Sequence, residues 1–183
     1  EAHCHIAQES ANGIMTSDDY ETGSISAAFG GNSCFVPFAA QKKGESIAST
    51  IAEYDRRAET KSVIDYSYHL ILTDPNENVM NELPSAFERG ITSFKVFMTY
   101  ATRVSDAQFL DILTIARRHG GLTMVHAENH DMLSWMSNAL TQAGYTEPRY
   151  HAPARPSLAE EEAINRAISL SKLANAPLMI VHV

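Results

Sequence analysis

A lysine stands in the middle of an apolar run, Ile91-Thr92-Ser93-Phe94-Lys95-Val96-Phe97-Met98. A strand that is apolar on both faces is covered on both faces, as in a parallel sheet. An ammonium buried there costs several kcal/mol, unless it snorkels to the rim, pairs with a carboxylate or gives up its proton. Desolvation favours the last course, because burial disfavours the charged form of an amine. The neutral amine can then capture carbon dioxide as a carbamate, an anionic two-oxygen group able to bridge two metal ions.

Histidines supply the matching donors. His3 and His5 are two apart, so on an extended strand both point one way and Cys4 points the other. His126 ends Leu122-Thr123-Met124-Val125, and His182 ends Leu178-Met179-Ile180-Val181. Each taken singly reads as readily as a hydrogen-bonded rim residue. Their recurrence at equivalent strand ends, together with Lys95, points to a metal centre. Imidazole suits zinc, and an oxygen-bridged pair of ions about 3.5–4 Å apart activates water for attack on a carbonyl. Tyr100, five residues after Lys95, is placed either to donate to the oxyanion formed in such an attack or to cover the rim as an aromatic. His69 reads as a packed strand histidine and His119 as a helix C-terminal residue that complements the macrodipole. His130 and His151 carry no assignment.

The elements that must position these residues alternate strictly. Strand candidates are 34–38, 63–72, 91–98, 122–125 and 178–181, with a truncated one ending at His3–His5. Helix starts are expected at Thr16 with Asp19, at Ser105 with Gln108 and at Ser157 with Glu160, all near the capping-box spacing. Asp74-Pro75 before Glu77 predicts another, with proline in the first helical position. Phe109, Ile112, Leu113 and Ala116 form one apolar helix face that Gly120 closes. Alternation of this kind predicts an α/β fold, either an open doubly wound sheet or a (β/α)8 TIM-type barrel. No glycine-rich nucleotide loop follows any strand, which favours the barrel. About six β/α units of ~30 residues fit, against the eight a barrel needs. Residues 144–157, with three prolines, are expected to cap the mouth. Because the chain opens on His3–His5 and stops at a strand end, residues 1–183 are expected to be one partial barrel domain.

The 183 residues are 44% hydrophobic with a net charge of −8, so neither nucleic acid nor an anionic membrane surface is expected as a partner. No apolar run has the length of a membrane span. Two cysteines, Cys4 and Cys34, make no disulfide framework and point to a cytoplasmic setting.

The stretches Ala2-His3-Cys4-His5, Phe29-Gly30-Gly31-Asn32-Ser33, Ser93-Phe94-Lys95-Val96-Phe97-Met98-Thr99-Tyr100, Val125-His126-Ala127-Glu128-Asn129 and Ile180-Val181-His182-Val183 together resemble the dihydropyrimidinase and hydantoinase family of the amidohydrolase superfamily. The resemblance implies that His3 and His5 hold the more buried of two divalent metal ions, zinc by default, and that His126 and His182 hold the other. It implies that carboxylated Lys95 bridges them and that Tyr100 hydrogen-bonds the substrate carbonyl. The implied reaction is opening of a small cyclic amide, a dihydropyrimidine or 5-substituted hydantoin, by a hydroxide that the metals activate. It also implies a parent homotetramer with a small β-sandwich domain. The family's last ligand, an aspartate that shuttles the proton, falls outside these residues, as do the segments that grip the ring. The isolated chain is therefore expected to be inactive and poorly folded. Allantoinase matches the same ligand pattern. A dihydroorotase would carry arginine where Ala7 stands. A non-catalytic scaffold like the collapsin response mediator proteins would have lost metal ligands that this chain keeps.

Overall fold

A computed structural model describes residues 1–10 and 13–183. It divides into two compact units, Glu1–Lys95 with His119–Gly121, and Val96–Arg118 with Leu122–Val183.

In the first unit α1 (Tyr20–Phe29) is followed by β1 (Cys34–Phe35), β2 (Phe38–Ala40), α2 (Ile47–Ala58), β3 (Asp65–Tyr66), β4 (His69–Ile71), α3 (Glu77–Glu88) and β5 (Ser93–Phe97), whose last two residues belong to the second unit. β4 lies between β2 and β5, and every pairing is parallel, with Phe38 opposite His69 and Ile71 opposite Lys95. β1 and β3 form a separate parallel pair. The single strands expected over 34–38 and 63–72 are thus each two short ones. Pro37 interrupts the first, since it has no N–H to give to a ladder. The second breaks at Ser67-Tyr68, where Ser67 N–H still donates to the Phe35 carbonyl.

Three helix starts differ from expectation by one to three residues, and in each a better acceptor or a fixed backbone wins. Asp19, not Thr16, caps α1: its carboxylate accepts from Glu21 and Thr22 N–H while the Thr22 hydroxyl answers the Asp19 N–H. Thr16 donates to the Asp18 carbonyl instead. Asn76, not Asp74, caps α3 by accepting from Val79 N–H, which leaves Pro75 before the cap.

The second unit runs from the end of β5 through α4 (Asp106–Arg118), β6 (Leu122–His126), α5 (His130–Gln142), a short 3-10 turn at Pro148–Tyr150 and α6 (Ser157–Ala174) to β7 (Leu178–Ile180). β6 and β7 pair in parallel, and Met98 N–H donates to the His126 carbonyl. Here the start expected at Ser105 with Gln108 is present as a reciprocal pair of hydrogen bonds. The start at Ser157 is not: Pro156, with no side-chain cap, precedes the helix. The apolar face Phe109, Ile112, Leu113 and Ala116 is buried as its spacing predicts. On α6 the buried face is Ala159, Ala163 and Ala167, small enough for that helix to lie close against α4. Among the described residues no helix is long and apolar enough to cross a membrane.

Candidate functional site

The segment that carries His3 and His5 bends at His3 and makes an isolated parallel bridge, Cys4 with Pro37, in place of the expected strand. It is held by its backbone. Val36 N–H donates to the Glu1 carbonyl, Phe38 N–H to the Cys4 carbonyl, and Ala7 N–H to the Asp18 carbonyl. Arg57 closes the series by donating to the Ala7 carbonyl at 2.6 Å. Ile6 beds onto α1 at Gly23, where a Cβ would stand 2.7 Å from the Ile6 Cδ1. Burial pushes the Cys4 thiol up to about 11, Glu1 adds to the rise, and the nearby N-terminal ammonium opposes it. In the metal-free protein the thiol therefore stays protonated near neutral pH.

With that segment fixed, the imidazoles converge on one aromatic ring. His5 stacks on Phe38 with centroids 4.6 Å apart, and His3 meets it edge-on at 4.8 Å. The two imidazoles are 5.6 Å apart. The Lys95 ammonium lies 4.8 Å from the same Phe38 centroid. His5 Nδ1 is 2.6 Å from Gln8 Oε1. An amide oxygen only accepts, so Nδ1 carries the proton and a neutral ring has its lone pair on Nε2. His69, tilted against Phe38 at 5.1 Å, donates from Nε2 to the Ala2 carbonyl at 2.9 Å and accepts from the Ser93 hydroxyl at Nδ1. That hydrogen-bonded placement matches its sequence reading. It also ties the strand of Lys95 to the residue before His3.

Lys95 is 1% exposed. Burial lowers its pKa from 10.5 to about 8, so a useful fraction of the amine is neutral near physiological pH. This is the state that the sequence reading requires for carbamate formation.

The second unit brings together His126, His182 and Tyr100. The two imidazoles meet edge-on with centroids 4.9 Å apart, and Tyr100 is 5.2 Å from His126. Tyr100 has φ +68° and His182 φ +40°, left-handed conformations that cost a non-glycine residue on the order of 1–3 kcal/mol. Tyr100 lies in the bend that follows β5, past Met98 and Thr99. The side chains border an open cleft of about 290 Å³ lined also by Glu128, His151, Arg155 and Glu160. The irregular segment 144–157 thus contributes His151 and Arg155 to this pocket.

Two of these residues carry no sequence signal of their own. Glu128 Oε2 lies 2.6 Å from His126 Nε2 and 2.5 Å from an Arg155 guanidinium nitrogen. Burial pushes the Glu128 carboxyl up, but hydrogen bonds from Arg155 and His126 outweigh it and hold the pKa below the ordinary value. Arg155 also lies over the Tyr100 ring, 5.5 Å from its centroid. Glu128 was visible in sequence only as a neighbour of His126, and Arg155 stands 27 residues further on.

The remaining histidines lie apart from these groups or at their edge. His119 stacks on Phe87 and His130 opens α5. Among the described residues no three His, Cys, Asp or Glu side chains form a preformed metal cage. The donor chemistry nonetheless fits divalent ions: each unit offers a pair of adjacent imidazoles, and one pair shares its aromatic base with a buried amine of lowered pKa.

No family model matches the chain. Among curated proteins, D-hydantoinase of Ralstonia pickettii is 41% identical over all of this chain and 40% of its own length. D-hydantoinase of Geobacillus stearothermophilus is 40% identical over 99% of the chain and 39% of its own. The crystal structure of dihydropyrimidinase from Brevibacillus agri superimposes with a TM-score of 0.94 at 43% identity, covering the whole chain and 40% of that structure. The chain therefore spans about two fifths of the length of the relatives it matches, and its α/β fold is part of the barrel fold of these proteins.

Proposed function

Because the chain belongs to the dihydropyrimidinase and hydantoinase family, we propose that it serves in a metal-dependent hydrolase that opens cyclic amides, a dihydropyrimidine or a 5-substituted hydantoin. The observation that carries the reading is Lys95: a lysine 1% exposed, with its pKa lowered to about 8, on the same phenyl ring as His3 and His5. A purely structural lysine is seldom kept in such a place. A lysine that reacts gains from it, because only the neutral amine adds to carbon dioxide. In that step the nitrogen lone pair forms an N–C bond, and the proton lost from nitrogen leaves to solvent.

In this reading His3 and His5 would hold one divalent ion and His126 and His182 a second, and Lys95, once carboxylated, would serve as a ligand to both. Zinc is the preferred ion for such donors. When bound, the ions supply Lewis acidity and lower the pKa of water toward neutrality. Gln8 supports the ligand set by keeping the His5 proton on Nδ1, and His69 by holding the Ala2 carbonyl. The Tyr100 hydroxyl donates a hydrogen bond to the amide oxygen as negative charge develops on it. The cleft beside Tyr100 has room for one small ring. On the family resemblance, the protein is further taken to be a cytoplasmic homotetramer.

The test is to express the full-length protein that carries this chain with zinc and bicarbonate, and to assay ring opening of dihydrouracil and of hydantoin. Hydrolysis of either supports the reading. Two bound metals with neither ring opened would move the substrate to another cyclic amide, allantoin first. No bound metal and no hydrolysis would favour the non-catalytic scaffold.

A further inference from the structure

Resting on that reading, we propose that Glu128, clamped by Arg155, is a positioning residue that fixes His126 in the tautomer and orientation of a metal ligand. Glu128 Oε2 takes both contacts, His126 Nε2 at 2.6 Å and the Arg155 guanidinium at 2.5 Å. Arginine stays protonated in proteins, so its partner here is the ionised carboxylate. An ionised carboxylate only accepts hydrogen bonds, and His126 Nε2 must therefore carry the proton. A neutral His126 then has its lone pair on Nδ1, which makes that nitrogen the donor atom for an ion.

The arrangement is more than a surface ion pair. The side chains of His126 and Glu128 are each 15% exposed and that of Arg155 29%, and all three line the cleft with Tyr100 and His182. A carboxylate behind an imidazole raises its basicity as a ligand and locks its ring plane. Because the Arg155 guanidinium also lies over the Tyr100 ring, the same clamp links the His126 ligand to the proposed oxyanion donor. In this role Glu128 acts through His126.

The test compares the full-length protein with its Glu128→Ala and Glu128→Gln variants by two readouts that need no turnover. One is zinc affinity by competition with a chelator. The other is the tautomer of His126 in the metal-free protein, from long-range proton–nitrogen NMR correlations. The wild type should show His126 protonated on Nε2. Glu128→Ala should bind zinc about 10–100-fold more weakly and show a mixture of tautomers. Glu128→Gln keeps an accepting oxygen but loses the charge, and should keep the tautomer while losing about tenfold in affinity. Wild-type affinity with an unchanged His126 spectrum in Glu128→Ala overturns the positioning role and leaves the metal reading intact. If Glu128→Ala does not fold, wild-type affinity in Glu128→Gln overturns it. Failure of the wild type to take up zinc overturns the metal reading and this role with it.

Discussion

Replacing Lys95 with methionine should stabilise the metal-free protein at neutral pH while abolishing its metal centre. Methionine nearly conserves the volume, so packing changes little. Lowering the amine's pKa from 10.5 to about 8 means that the folded ammonium is disfavoured by about 3 kcal/mol. The side chain is 1% exposed, so solvent screens little of this. Contact with the Phe38 face at 4.8 Å returns on the order of 1–2 kcal/mol as a cation–π interaction. The net gain from Lys95→Met at pH 7 is then about 1–2 kcal/mol. Its pH dependence has a definite sign. Below about 8 the amine is charged in both folded and unfolded chains, and the penalty is complete. Between about 8 and 10.5 the folded chain has lost the proton that the unfolded chain still holds, so the wild type gains stability as pH rises. The advantage of the variant should therefore close by about pH 10. Urea unfolding of the metal-stripped full-length protein, followed by circular dichroism in carbonate-free buffer from pH 7 to 10, measures both quantities. A variant less stable than wild type at pH 7, or a difference that does not change with pH, would refute the claim that Lys95 is held by burial against its own charge.

Tyr100→Phe should lower kcat for ring opening by about 10²–10³-fold, the usual cost of an oxyanion donor, with zinc content unchanged by elemental analysis. Loss of zinc in that variant would mean that the hydroxyl supports the metal site instead of the oxyanion. His69→Phe removes the bonds to Ser93 and to the Ala2 carbonyl. It should destabilise the fold by about 1–3 kcal/mol in thermal or urea unfolding and weaken zinc binding with it. Gly23→Val would force a side chain into Ile6, whose atoms stand only 2.7–3.3 Å from where a Cβ on Gly23 would lie. Overpacking of that kind costs about 1–3 kcal/mol, read out as a lower urea midpoint, and should disturb the segment that carries His3 and His5.

The chemistry was legible in the sequence where a residue broke a pattern. Lys95 interrupts an apolar strand and His126 ends one, and both are placed by β5 and β6 as their spacing predicts. Element ends were less legible, because several residues compete locally for the same free N–H groups. Asp19 outcompetes Thr16 at α1 through two backbone bonds, and Pro156 leaves α6 without a side-chain cap. The break at Ser67-Tyr68 has no proline to announce it, and Tyr68 is buried like the strand residues around it. Contacts between residues distant in the chain were not legible at all. Nothing in the spacing links Arg155 to Glu128, or Ser93 and His69 to Ala2. These partners hold the proposed ligands in place, and only the folded chain brings them together.

Metal content is the sharpest check on Lys95 as the proposed ligand shared by two ions. The full-length protein and its Lys95→Ala variant would be prepared with zinc and bicarbonate and their zinc measured per subunit by mass spectrometry of the elements. Two ions in the wild type and their loss in Lys95→Ala are the predicted result. Zinc retained in full by Lys95→Ala, or absent from the wild type, would contradict it.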